Sequence, residues 1–371
     1  MIDNRIKQLA KNLVTYSCNV QKGECVLVEG AFSDAELLHE VVREVHKAGG
    51  FPFYNFTDPQ TRRVMCEGTN GEHMAIWAEM DKARMEKMQA YIGIRGGDNS
   101  FEMSDVPEEK MAIYNGLYFH GVHHDVRVKK TKWVVLRYPT PSFAQMAGMS
   151  TEKFEDFYFN VCNLDYSKMD DAMTPLVQLM NRTDKVRIIG NGSDLTFSIK
   201  DIPAIKCSGL RNIPDGEVYT APVKDSVNGV IFYTAPSLFE GKKYENVRLE
   251  FENGKIVKAT ANGSDEIMQI FKRDAGASYV GEFAIGVNPY ITFPMLDTLF
   301  DEKIAGSIHF TPGACYDEAP NGNVSAIHWD LVNIQTPEYG GGEIYFDDVL
   351  IRKDGVFVVE ELECLNVENL K

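Results

Sequence analysis

Residues 302–330 read EKIAGSIHFTPGACYDEAPNGNVSAIHWD, and the rest of the chain is organised around them. The stretch carries two of the eight histidines, His309 and His328, with Asp330 two positions after the second. Side chains of an extended segment repeat every second residue, so His328 and Asp330 leave one face of a strand together. Ala326-Ile327 before them and Leu331-Val332 after them are apolar, which predicts a buried strand. A buried imidazole beside a buried carboxylate needs a partner, either hydrogen bonds within a core or a cation. Asn321-Gly322 is a tight-turn signal. It predicts that the His309 and His328 segments fold back as neighbouring strands, which would bring two histidines and an aspartate together.

Upstream of this stretch the second half of the chain is rich in strands. VRIIG and LTFSI flank Asn191-Gly192, while VRLEF and KIVKATA flank Asn253-Gly254, the pattern of hairpins with type I′ turns. One inserted helix is expected at SDEIMQIFKRD (264–274). Two carboxylates stand out: Glu217, just after the Pro214-Asp215-Gly216 turn in NIPDGEVYTAP, and Glu282, among apolar residues in SYVGEFAIGVNP. A glutamate inside such a strand is ion-paired, neutral or bound to a cation, and exposure at a strand end is the plainer alternative.

The first half alternates between the two kinds of element. Ile6, Leu9, Ala10 and Leu13 share a helical face within residues 3–16. CVLVE (25–29) reads as a strand, followed by a helix with Ser33 and Glu36 at capping-box spacing, a Leu38, Val41, Val42, Val45 stripe and a stop at Gly49-Gly50. Strand FPFYNF (51–56), a helix over 72–88, strand AYIGI (90–94), a helix near 107–120 and strand WVVLR (133–137) continue the pattern, which predicts a parallel sheet covered by helices. Helices beginning near Ser150 and over 168–181 come before strands take over. The expected organisation is therefore an α/β domain over 1–183 and a β-rich α+β metal-binding domain over 184–371. Gly93 to Gly97 lacks the G-x-G-x-x-G order of a phosphate cradle. His120 and His124 stand at i and i+4, a spacing that could bind a metal from a helix, but with Asp125 the one carboxylate beside them they read with His123 as a surface cluster.

A chain of 371 residues is long for one core. Its net charge of -16, with Lys129-Lys130-Thr131-Lys132 the densest basic run, argues against nucleic acid as a partner. No apolar run approaches the roughly eighteen residues of a membrane span, and the N-terminus has no signal pattern. Seven cysteines without a C-x-x-C pair suit reduced thiols. A cytoplasmic protein without membrane partners is expected.

NIPDGEVYTAP, GEFAIGVNP, TLFDEKIAGSIHFTPGACY and IHWDLV, in this order, resemble the M29 metallopeptidases of the thermophilic aminopeptidase T type. LVTYSCNVQKGECVLVEG and LRYPTPSFAQMAGMSTEKFEDFYF extend the resemblance over nearly the whole chain. The resemblance implies an aminopeptidase acting on small peptides through two divalent cations (zinc, cobalt or manganese), usually as a homodimer. It implies Glu217, Glu282, His309, His328 and Asp330 as metal ligands and Tyr316, seven residues after His309, as a catalytic tyrosine. Glu302 matches more loosely as a further metal-site glutamate or proton acceptor, and Thr311-Pro312-Gly313 replaces the family's Ala-Leu-Gly. Two other readings stand beside this one. His309, His328 and Asp330 alone form the two-His-one-carboxylate set of mononuclear non-haem iron ring-cleaving dioxygenases, and a catalytically silent relative would keep the fold.

Overall fold

In the computed structural model, which describes residues 3–31, 35–97, 99 and 101–371, the strand and helix alternation of the first half forms four strands of a sheet, and Asn212–Ile213 from further along the chain adds a fifth. The strand order is Phe51–Thr57, Cys25–Ala31, Ala90–Arg95, Lys132–Arg137 and Asn212–Ile213, and every pairing is parallel. Parallel neighbours need crossover connections, and helices supply them. Helix Ala35–Lys47 buries Leu37, Leu38, Val41 and Val45, and left-handed Gly49 (φ +79°) follows its end. Ser33, its expected cap, lies outside the described residues. The helix expected near 107–120 is longer: Glu108–Ile113 runs on into a π-wound segment, Tyr114–Val128. Its Val122 and Val126 pack with Leu27, Tyr91 and Val135 of the sheet.

The second half holds an eight-stranded sheet whose pairings are antiparallel. Both expected hairpins are present, and their turns have positive φ at both residues: +44° and +80° at Asn191-Gly192, +48° and +82° at Asn253-Gly254. That is the type I′ signature, whose twist matches the strands. The helix expected over 264–274 is only a 3₁₀ turn, Glu266–Lys272, with no side-chain cap at Asp265.

A second five-stranded sheet carries the residues that decide the chemistry. Its order is Val332–Ile334, Ser307–Pro312, Val280–Gly286, Glu217–Thr220 and Ile205–Cys207, all antiparallel. Every residue of Val280–Gly286 and Ser307–Pro312 is buried, yet the two faces differ. Phe283 and Phe310 join Phe197 and Phe251 of the eight-stranded sheet, with ring centroids 4.9 to 6.3 Å apart. Each buried ring contributes about 1.5–3 kcal/mol. That anchor directs the alternate residues, Glu282, Ala284, Gly286, His309 and Thr311, to the opposite face.

Strands Ser307–Pro312 and Val332–Ile334 pair as neighbours, but no tight turn at Asn321-Gly322 joins them. Asn321 Nδ2 donates to the carbonyls of Pro222 and Val280, each at 2.8 Å, so the Asn-Gly pair anchors a long connection to distant backbone. Asn323, 1% exposed, donates to the carbonyls of Gly276 (2.9 Å) and Gly313 (2.7 Å). The regular strand starts only at Val332, and His328 makes an isolated bridge to Gly313.

The chain divides into two units, Met1–Asn163 with Gly209–Ile213, and Leu164–Ser208 with Pro214–Lys371. Helix Tyr166–Arg182, which buries Met169, Met173, Leu176 and Met180, thus groups with the second unit, ahead of the residue 183 boundary read from the strand pattern. Among the described residues no helix is long and apolar enough to cross a membrane. Replacing Asn323 by Ala leaves two buried carbonyls without their donor and is expected to cost about 2–3 kcal/mol in urea unfolding. A change within a few tenths of wild type would show that this side chain does not anchor the loop.

Candidate metal centre

Backbone constraints aim each acidic side chain. Glu217 opens its strand after Gly216, whose φ of +133° and whose would-be Cβ, 2.9 Å from the Asn288 Cβ, exclude a side chain there. Asn288 Nδ2 donates to the Asp215 carbonyl at 2.7 Å and holds this turn. In the sheet register Glu217 lies opposite Gly286, Ala284 lies between Tyr219 and His309, and Glu282 lies opposite Thr311. Small residues on the central strand leave room between the larger polar groups on either side. Gly313, with φ +112° and the Ile327 carbonyl 2.1 Å from where a Cβ would stand, allows the close bridge to His328.

These constraints gather two triads. Glu217, Glu302 and His309 offer ligand atoms within 4.8 Å of one another, and so do Glu282, His328 and Asp330. His309 Nε2 is 3.3 Å from both Glu217 Oε2 and Glu282 Oε1. His328 Nε2 is 3.1 Å from Glu282 Oε2 and 3.3 Å from Asp330 Oδ1. Glu282 therefore turns one oxygen to each histidine and links the triads. His328 Nδ1 sits 2.8 Å from the Ala314 carbonyl, which selects the tautomer with the proton on Nδ1 and leaves Nε2 free to coordinate. Glu217 Oε2 and His328 Nε2 are buried and have no aligned hydrogen-bond partner despite these short approaches. Polar atoms that crowd together without pairing fit donors converging on a cation. The Tyr316 ring lies 4.7 Å from that of His328 and 5.5 Å from that of Tyr219, with 45% of the residue exposed.

The sequence profile of the thermophilic metalloprotease family M29 matches residues 2–355. The chain belongs to that family. It is similar to aminopeptidase PepS of Streptococcus thermophilus, 27% identical over 370 residues, with 88% of this chain and 87% of the relative covered. Aminopeptidase AmpS of Bacillus subtilis (strain 168) is 25% identical over 351 residues, with 84% of each chain covered. The solved structure of wild-type AmpT from Thermus thermophilus shares the fold, with a TM-score of 0.79, 20% identity, and 97% of this chain and 100% of that one covered. A parallel N-terminal sheet followed by a β-rich C-terminal region, as expected from the sequence, is thus the M29 fold. Membership in a metallopeptidase family sets aside the iron-dioxygenase reading of His309, His328 and Asp330.

Within this M29 chain the sequence reading missed three residues. Lys303, 1% exposed, places Nζ 2.5 Å from Glu217 Oε1, 2.6 Å from Glu302 Oε1 and 3.7 Å from Asp215 Oδ1. A lysine next to a glutamate reads as solvated surface, and only the apolar Ile304-Ala305 after it hints otherwise. Asp215 was read only as part of a turn. Thr311 Oγ1 donates to Asp330 Oδ1 at 2.8 Å, so the Thr311-Pro312-Gly313 departure supplies a support for Asp330.

Charge governs protonation here. Burial disfavours the His309 imidazolium, but Glu217 and Glu282 outweigh it and raise the pKa to about 9. Against the same burial penalty Asp330 and Glu282 raise His328 well above its ordinary value. Burial pushes Glu302 up to about 8 although Lys303 opposes it. Burial also resists ionisation of Asp330, yet His328 holds it below the usual carboxylate range. At pH 7 the metal-free protein therefore carries protons on His309, His328 and Glu302 that a coordinated cation must displace. Zinc binding is expected to release protons at pH 7 and to tighten as pH rises through about 8 and 9, where Glu302 and His309 lose theirs unaided. Calorimetry in two buffers of different ionisation enthalpy measures the release, and identical heats in both would contradict it.

Proposed function

We propose that the chain is a metal-dependent aminopeptidase that removes the N-terminal residue of small peptides, with Glu217, Glu282, Glu302, His309, His328 and Asp330 holding two divalent cations. The observation that carries the two-cation reading is the position of Glu282, one oxygen in each triad.

Bound cations supply Lewis acidity, lowering the pKa of a water and polarising a carbonyl. The remaining steps fall to side chains. Glu302, whose Oε1 lies 2.6 Å from Lys303 Nζ, accepts a proton from the attacking water and returns it to the leaving amine. Desolvation within the site, and after it the nearby Glu282, push the Tyr316 phenol well above its ordinary pKa, so it stays a donor. It offers that hydrogen bond to the carbonyl oxygen as negative charge develops. The acidic surroundings favour a substrate with a free α-amino group over one with a blocked N-terminus. Zinc, cobalt or manganese, a cytoplasmic location and a homodimer belong to the same proposal. The mixed oxygen and imidazole donors support the cations, and the family resemblance supports the other two.

Elemental analysis combined with a dipeptide assay tests this reading. Two divalent ions per chain and chelator-sensitive release of the N-terminal residue are expected, whereas a single iron with oxygen uptake on an aromatic substrate would falsify it. Glu282→Ala is expected to lose both ions and all activity with its circular dichroism spectrum unchanged. Tyr316→Phe should keep both ions and KM while kcat falls about 10²–10³-fold. Full activity in that variant would remove the tyrosine from the mechanism.

A further inference from the structure

The π-wound segment Tyr114–Val128 lies in the first unit and shares no residue with the candidate metal centre. In an α-helix residues i and i+5 point about 140° apart. A π turn, closed by i to i+5 bonds, brings residue i+5 back over residue i. Here that winding changes which side chains meet. The His120 and His124 rings lie with centroids 4.7 Å apart, tilted by 35°, and Asp125, the i+5 partner of His120, joins them. Its Oδ2 is 3.4 Å from His120 Nδ1 and its Oδ1 is 3.1 Å from His124 Nδ1. His123 is turned away, with Nδ1 2.6 Å from Arg127 Nη1 and its ring against Phe119.

We propose that His120, His124 and Asp125 form a second, peripheral site for a borderline divalent cation such as zinc. Two imidazoles and a carboxylate are a donor set that zinc, nickel and copper(II) accept. Bonds of about 2.0–2.2 Å in a tetrahedral site set ligand atoms roughly 3.4 Å apart, close to the separations seen here. Both histidines present Nδ1 to Asp125, one to each carboxylate oxygen, and one ligand atom from each of the three residues lies within 4.8 Å of the others. The opposite side of the segment is pinned by buried Val122 and Val126, so the exposed edge is preorganised. One group competes: Lys129 Nζ, 3.5 Å from Asp125 Oδ1, belongs to a half-exposed side chain. Such a surface pair is worth little, and the lysine can move into water when a cation enters. With side chains 41% to 62% exposed, the remaining coordination positions are open to water.

Zinc titration of the full-length chain, followed by calorimetry and by elemental analysis after gel filtration, tests the site. Expected is one zinc per chain beyond the ions removed by Glu282→Ala, bound in the micromolar range and retained in that variant. His120→Ala combined with His124→Ala should lose this zinc and keep dipeptide hydrolysis, and Asp125→Asn should weaken it at least about tenfold. Zinc uptake unchanged by the double substitution, or an additional zinc only at millimolar concentration, would overturn the proposal. Because the readout in Glu282→Ala does not need the catalytic ions, failure here is distinct from failure of the aminopeptidase reading.

Discussion

Like charges crowded together in a largely buried site repel one another, and the second unit is built to contain that repulsion. Glu282 and Glu217 are 3% and 5% exposed, and Glu302, Asp330 and Asp215 crowd around them. Two unit charges 4 Å apart interact by about 4 kcal/mol at the effective dielectric typical of such sites. Lys303 offsets part of this by touching Glu217 and Glu302 and approaching Asp215. The histidines take up more by holding protons. A pocket that compensates its acids only by protonation or by cations has a built-in competition between the two, and this competition underlies the metal dependence proposed for the chain.

The acids are prevented from relaxing apart by what lies behind them. Val280–Gly286 and Ser307–Pro312 bury both faces, with aromatic rings on one and acids and imidazoles on the other. Sliding either strand by one residue would drive Glu282 or His309 into the phenylalanine cluster, so the hydrophobic side fixes the register of the polar side. The long loop before Val332 serves the same end, because the Asn323 amide ties its backbone to Gly276 and Gly313 and steadies the path to His328.

Local chemistry was legible wherever its partners were local. The Asn191-Gly192 and Asn253-Gly254 hairpins need only their flanking strands, and both occur where the pattern places them. Asn321-Gly322 has the same two letters, but its amide bonds to Pro222 and Val280, far away in sequence. Turn propensity is blind to such acceptors. The helix expected near 107–120 was recognised as helical, whereas its π winding, and with it the meeting of His120 and Asp125, was not, since the apolar stripe alone does not report a wider turn.

Read by itself, the amino-acid order settled the alternation of elements, the family resemblance and the residue types able to hold cations, because these follow from short periods and motifs. The tertiary structure decided that Glu282 faces two histidines, that Lys303 is sealed among carboxylates and that Thr311 steadies Asp330. These outcomes depend on which distant segments become neighbours and which side chains lose their water, and neither is written into the spacing of residues along one strand or helix.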